Sequence, residues 1–287
     1  MISQRDFPRR LLTFLAHPDH ETFGPAGTLA LYSRRGVETY LVCATRGEVG
    51  AAPAGLRGYA SVAEMREAEL RCASRVLGLK GVRFLGYRDS GMAGSPENTH
   101  PDSTAMAPLE EIARKVAWHM REIRPQVVIT FDPNGGYGHP DHIAVHRATV
   151  EAFRLASDPQ VEIEGQAPYS PQKLYYHTFP RGWLRPLVRF LQWIGADVRH
   201  FGQNRDIDLV MVVEADVPVN AVIQTRSVAH VKAQAMRCHA SQTAGMPRFA
   251  LTLMAHLVGR KEYFSRAVPV QPAPRTERDM FERVLEV

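Results

Sequence analysis

Two short stretches carry most of the chain's capacity for chemistry. The first is Ala16-His17-Pro18-Asp19-His20-Glu21. Two imidazoles three residues apart on a tight turn can converge on one divalent metal, and the carboxylate between them can face an open coordination position; a plain surface turn or helix cap uses the same residue types without a metal. The second runs Asp132-Pro133-Asn134-Gly135-Gly136-Tyr137-Gly138-His139-Pro140-Asp141-His142. Pro140 suits a first helical position, which puts Asp141 and His142 in the first turn of a helix. The glycines let the loop fold close to a ligand at an entropic cost that a purely structural loop would seldom accept. The plainer alternatives are His139 as a helix-terminal residue, Asp141 favouring the positive end of the helix dipole, Tyr137 as a lid contact and Asp132 as a turn-former before Pro133. A catalytic zinc site takes three protein ligands and leaves the fourth position to water, whose pKa falls toward about 7. The two clusters together supply that count.

Both clusters follow predicted strands. Leu11 to Ala16 and Gln126 to Phe131 are short continuous apolar runs, the pattern of strands buried on both faces, and each stops abruptly at its polar cluster. Between them the pattern alternates: a helix over 28–35 closed by Gly36, a strand over 38–44, a helix from Ser61 to Gly78 with Glu64 completing a capping box, a strand over 82–85, a long loop over 86–107 and a helix over 108–123. Such alternation predicts an α/β fold, a Rossmann-like, mostly parallel sheet with helices on both faces, whose ligand crevice lies at the carboxyl ends of the strands. Beyond residue 158 the expectation is a strand over 173–178, a helix over 184–194, a strand over 209–213 and a helix over 225–241. These are read as a smaller C-terminal α/β portion, residues 166–287, covering the crevice of a metal-site domain over 1–165.

Composition narrows the class further. At 287 residues, 45% hydrophobic and 23% charged, the chain is globular, and disorder and collagen-like structure are excluded. The excess of five positive charges is scattered; its densest groups, Arg34-Arg35 and Arg181 to Arg189, lack aromatic interleaving and read as solvated surface, so neither nucleic acid nor a membrane is expected as partner. Three cysteines, Cys43, Cys72 and Cys238, form no CxxC pair, which argues against a disulfide framework and a thiolate zinc site and fits a reducing cytoplasm. His17, Pro18 and Asp19 interrupt the first apolar run well short of a signal-peptide core. No GxGxxG opens the first helix, which disfavours a nucleotide site. His146, four residues after His142, shares its helix face but reads as packing, because no HExxH glutamate accompanies it.

In these motifs the sequence resembles the PIG-L/LmbE-like family of zinc-dependent N-acetylglucosaminyl deacetylases. Ala16 to Glu21 is similar to the family's AHPDDE, Gly138 to His142 to its GHPDH, Gly86 to Met92 to a GYRDSGM segment shared by members of the thiol-cofactor branch, and His239 to Gln242 to its HxSQ element. The resemblance implies His17 and His142 as zinc ligands, Asp19 as general base for the attacking water and His139 as proton donor to the leaving amine or stabiliser of the oxyanion. It further implies Tyr137 binding that oxyanion, Asp141 holding an active-site histidine and Arg66 binding substrate. The family's third ligand is the second Asp of AHPDDE, and here that position is His20, so a three-histidine centre for zinc or another divalent ion is the simplest outcome. The implied activity is removal of the N-acetyl group from an N-acetylglucosamine-containing small molecule, with homo-oligomerisation left open. A thiol S-conjugate amidase and a non-catalytic sugar-binding protein on the same fold are the rivals. Glu21 is read as accepting an imidazole N–H, and His239 and Gln242 as C-terminal packing.

Overall fold

Alternating apolar runs and capped helices build a seven-stranded sheet flanked by helices. The computed structural model describes residues 8–50, 52, 55–182, 184–200, 207–215, 217–257, 259–270 and 276–285. In chain order the elements are β1 (Arg10–Leu15), α1 (His20–Phe23), α2 (Ala26–Arg34), β2 (Glu38–Cys43), α3 (Val62–Leu77), β3 (Gly81–Phe84), α4 (Leu109–Ile123), β4 (Val127–Phe131), α5 (Gly135–Gly138) and α6 (Pro140–Ser157). Then follow β5 (Lys173–Thr178), α7 (Leu184–Trp193), α8 (Leu209–Glu214), β6 (Ala221–Gln224), α9 (Ala229–Cys238), α10 (Arg248–Leu257) and β7 (Lys261–Val268). The strand order is β3-β2-β1-β4-β5-β7-β6. The first five strands are parallel, and β7 pairs antiparallel with both β5 and β6.

The pleat divides the apolar strand residues between two faces. Leu12, Phe14, Val128 and Leu174 pack against α4 and α6, whose Ile112, Val116, Val145 and Ala152 are buried with them. Leu11, Val127, Ile129 and Tyr175 point the other way, onto Leu29 and Tyr32 of α2 and onto Met280 and Phe281 near the C-terminus. Beside α2, Ala73 and Leu77 of α3 meet Val231 and Ala235 of α9. Burial on both faces is why these strands read as unbroken apolar runs. α3 begins as its sequence dictates: the Ser61 hydroxyl accepts the Glu64 N–H at 3.1 Å, and the Glu64 carboxylate reaches back to the Ala60 N–H at 2.7 Å, a device worth about 1 kcal/mol. Gly78 closes the helix at φ 78°.

Strand order reverses between β1 and β4, because connections from β1 run one way to β2 and β3 while β4 and β5 lie on the other side. At such a switch point the loops leaving adjacent parallel strands diverge and open a crevice at the carboxyl edge. The two polar clusters are the segments leaving these two strands.

Three expectations fail on particular residues. Residues 209–213 form α8 rather than a strand: a five-residue apolar run fits either structure, and the Asp208 carboxylate decides it by accepting the Val210 and Met211 N–H groups at 2.8 and 3.2 Å. The helix expected over 225–241 is shorter, a 3-10 turn over 226–228 followed by α9. Cys72 and Cys238 are joined in a disulfide, with Cα atoms 5.7 Å apart across 166 residues of chain, while Cys43 is free and buried. Sequence spacing could not reveal this pair, since the packing of α3 on α9 brings its members together, and the thiol argument for a reducing compartment loses its support. No helix among the described residues is long and apolar enough to cross a membrane.

Candidate metal centre

The chain leaves β1 through a sharp turn in which Asp19 has φ 117° and caps α1. It leaves β4 through α5, a kinked turn, and re-enters helix at Pro140 with His139 as N-cap. Gly135 has φ 60° at the crossing of these segments, and a Cβ there would lie 2.7 Å from the His142 Cβ, so the loop can close over α6 only with glycine. The four imidazoles of His17, His20, His139 and His142 consequently form one cluster, with ring centroids 4.4–5.4 Å apart.

Two overlapping sets of metal-ligand type share His17. One ligand atom from each of His17, His20 and His142 lies within 4.8 Å of the others, and the same holds for His17, Asp89, His139 and Asp141. His142 is best prepared to bind. Its Nδ1–H donates to the Gly135 carbonyl at 2.9 Å, and its ring stacks on Phe131 with centroids 4.2 Å apart, which leaves a buried Nε2 lone pair with no partner. Asp19 Oδ1 and Asp141 Oδ1 are likewise buried without a hydrogen bond. Unsatisfied acceptors of this kind cost free energy unless a cation or donor completes them, so the residues fit a divalent metal, and the imidazole-rich donor set suits a borderline ion such as zinc. His20 offers Nδ1 in competition with the His17 N–H, which donates to it at 3.2 Å.

Electrostatics separates the histidines. Burial, then the charge of His17, holds His20 well below the usual imidazole value and brings His139 down to about 4; burial, then the neighbouring His20 and His139 rings, holds His142 well below it. All three are neutral at physiological pH, as metal ligation or proton transfer requires. At His17 burial opposes the charge, but hydrogen bonds to Asp141 (2.8 Å) and Asp89 (3.3 Å) outweigh it and push the ring up to about 9 in the metal-free protein. Asp89 is lowered in turn: burial opposes ionisation, and His17 overcomes it. Asp19 is raised above the ordinary carboxylate range, burial outweighing the opposing pull of Arg66. That is the direction a general base working near neutrality needs.

Arg66 belongs to the same site. Its guanidinium donates to the Pro18 carbonyl (2.6 Å) and the Gly47 carbonyl (3.1 Å) and lies 3.3 Å from Asp19 Oδ2. Gly47, at φ 69°, makes room for it: a Cβ there would sit 2.2 Å from the guanidinium. Asp141 accepts the Ser90 N–H at 3.1 Å, and its own N–H donates to His139 Nδ1 at 3.2 Å. That second bond leaves the proton of the neutral His139 ring on Nε2. Tyr137 stands edge-on to His142, with centroids 5.1 Å apart. His146 is outside both metal-ligand sets and bonds the Phe131 carbonyl through Nδ1 at 2.9 Å.

Sequence reasoning left out Asp89, although it follows β3 directly and therefore opens onto the same sheet edge. It also put Arg181 among solvated charges. The structure buries Arg181 against Asp132 at 2.5 Å, while the other oxygen of Asp132 accepts the Asn134 and Gly136 N–H groups at 3.0 Å each and shapes the loop toward His142. Glu21 does accept an imidazole N–H, from His239 at 2.6 Å.

The chain is similar to known proteins over most of its length. The family model for PIG-L, described as GlcNAc-PI de-N-acetylase, matches residues 12–153. A 1D-myo-inositol 2-acetamido-2-deoxy-alpha-D-glucopyranoside deacetylase from Thermobifida fusca is 38% identical over 286 residues, covering 96% of this chain and 97% of the relative. The protein of the same name from Thermomonospora curvata is 37% identical over 281 residues, covering 94% and 93%. Among solved structures, the N,N'-diacetylchitobiose deacetylase of Pyrococcus horikoshii superposes with a TM-score of 0.61 at 20% identity, over 92% of this chain and 87% of that one. A 4-carboxy-2-hydroxymuconate hydratase from Pseudomonas putida superposes with a TM-score of 0.59 at 17% identity, over 92% and 98%. At such identities the likeness speaks for the fold alone, and the hydratase illustrates that the fold does not dictate the reaction. The sequence relatives define a hydrolase of carbon–nitrogen bonds, a deacetylase. The chain belongs to the PIG-L family.

Proposed function

We propose that the chain is a zinc-dependent deacetylase that removes the acetyl group from an acetamido-glucopyranoside of a small polyol, the substrate type named for its relatives. The observation that carries this reading is the convergence of His17, His20 and His142 on one side of Asp19, with His139 and Tyr137 at the same opening. His17, His20 and His142 would hold the zinc, which would supply Lewis acidity toward the attacking water and the acetamide carbonyl. Asp19, its carboxyl raised by burial, takes the proton of that water. The Tyr137 hydroxyl donates to the developing oxyanion. His139 carries its proton on Nε2, directed away from the Asp141 N–H, and donates it as a hydrogen bond to the developing oxyanion; the proton that Asp19 took from the water passes to the departing nitrogen, and Asp141 orients both His17 and His139. Arg66 turns a buried cation toward Asp19 and binds sugar hydroxyls at the same mouth.

With His20 where the resembled family has a carboxylate, a metal held there would carry one more positive charge and would make water in its field more acidic. The test is acetate release by the zinc-loaded protein from an acetamido-glucopyranosyl inositol, run beside amine release from S-conjugated thiols. Turnover of the first with about one zinc per chain is expected. No turnover of either substrate by protein with full metal content would sink the proposal, and turnover of the thiol conjugates alone would replace deacetylation with conjugate cleavage.

A further inference from the structure

Asp19 holds a backbone conformation, φ 117° and ψ −28°, that a residue with a side chain rarely adopts and keeps only where its surroundings enforce it. Both of its backbone polar groups are engaged. The carbonyl accepts the Thr22 and Phe23 N–H groups at 2.9 Å each, and the N–H donates to Glu21 Oε2 at 3.0 Å. Glu21 is fully buried, and its other oxygen receives the His239 Nε2–H at 2.6 Å and the Thr22 hydroxyl at 2.5 Å.

His239 comes from the far end of the chain, directly after α9, and the end of α9 is tied to α3. Cys238, its neighbour, is bonded to Cys72, and Glu69 accepts both the N–H and the hydroxyl of Ser241 at 2.7 and 2.6 Å. α3 also carries Arg66, which holds the Pro18 carbonyl and the Asp19 carboxylate. The amide end and the carboxylate end of Asp19 are thus gripped from one pair of cross-linked helices. His239 does not belong to either metal-ligand set, and the side chain its ring bonds is Glu21.

The geometry points to Glu21 and His239 as positioning residues for the proposed base: His239 fixes Glu21, Glu21 holds the Asp19 N–H, and that bond keeps the left-handed turn which sets the Asp19 carboxylate beside the metal-binding imidazoles. The inference deepens the deacetylase reading and rests on Asp19 being the base in it. A glutamine at 239 can still donate an N–H to Glu21, whereas leucine cannot. Because His239→Leu alone strands a buried carboxylate and can unfold the protein, the paired change Glu21→Leu with His239→Leu removes both partners and leaves an apolar contact.

The experiment takes wild type, His239→Gln and the double leucine variant, and measures kcat, KM, zinc content and a crystal structure of each. The double variant is expected to fold and keep its zinc, to release Asp19 to a negative φ, and to lose kcat by about 10²-fold, the penalty of a misplaced catalytic group, with KM within about twofold. His239→Gln is expected to keep the positive φ and to recover most of kcat. A double variant that keeps Asp19 at positive φ with kcat unchanged overturns the inference, as does a kcat loss with Asp19 unmoved. Wild type that fails to deacetylate removes the functional reading instead, and the backbone of Asp19 in the variant structures still decides the positional claim.

Discussion

The candidate metal centre and the Glu262 cluster are both buried polar junctions between remote parts of the chain, and they differ in how their bonds are completed. Glu262, on β7, accepts the Gly27 N–H and the Lys232 ammonium on Oε1 at 2.8 Å each and the Thr28 N–H on Oε2 at 2.7 Å, and Lys232 also reaches the Gly24 carbonyl at 3.0 Å. The carboxylate thereby caps α2 at its positive end and neutralises a buried cation. In the candidate metal centre His142 Nε2, Asp19 Oδ1 and Asp141 Oδ1 have no hydrogen bond, and Asp19 sits in a costly backbone conformation. A junction whose bonds are closed within the protein contributes to holding the fold, whereas one that leaves acceptors open holds free energy that a ligand can release.

The largest effect expected from this contrast is on turnover. Asn tolerates positive φ nearly as well as Asp, so Asp19→Asn should preserve the turn and the thermal midpoint while lowering kcat by about 10²–10⁴-fold. A steady-state assay beside a melting curve checks it, and a lowered midpoint with intact kcat would invert the comparison. Next in size, Glu262→Ala leaves Lys232 buried and unpaired and should cost about 3–5 kcal/mol in urea denaturation, with kcat per folded molecule unchanged. A loss of activity in excess of the loss of folded protein would mean that the two junctions communicate.

The smallest effect is one of pH. His17 is raised from 6.5 to about 9 in the metal-free protein, and its proton must leave before the ring can coordinate. Zinc affinity should therefore rise about tenfold per pH unit above neutrality and level off above about 9, as read by competition with a chromophoric chelator. The same shift has the opposite sign for the metal-free fold. A raised native pKa stabilises below 6.5, and that contribution is lost as pH climbs through about 9. Affinity that is flat between pH 7 and 9 would show that His17 enters the site already neutral.

Residue types alone made much of the centre legible. His17, His20, Tyr137, His139, Asp141 and His142 are polar residues immediately following apolar runs, and in a parallel sheet such segments must emerge at one edge. Asp89 was equally well placed after β3, but a single carboxylate in a long loop carries no spacing signal. Arg181 was misjudged for a related reason, its partner Asp132 lying 49 residues away, and the 218 residues between His239 and Glu21 hid that pair as well. In the fold, the parallel strands, the capped helices and α7 were legible, including β5 over 173–178. The antiparallel β6 and β7 were not, and the LVMVV run went to helix because one aspartate caps it.

Local periodicity, caps and turn chemistry determined what can be decided over a few residues: which segments are strands, where helices begin, and that two histidine-rich turns leave strand ends. Tertiary structure decided what depends on chain segments meeting, namely the strand order that sets β1 beside β4, the Cys72–Cys238 bond, the burial that lowers three imidazoles and the Asp141 and Asp89 contacts that raise His17 against it, and the grip of α3 and α9 on Asp19. The division is physical: backbone dihedrals and apolar period are set by near neighbours, while desolvation and ion pairing are set by whatever the fold brings within a few ångströms, however distant in the chain.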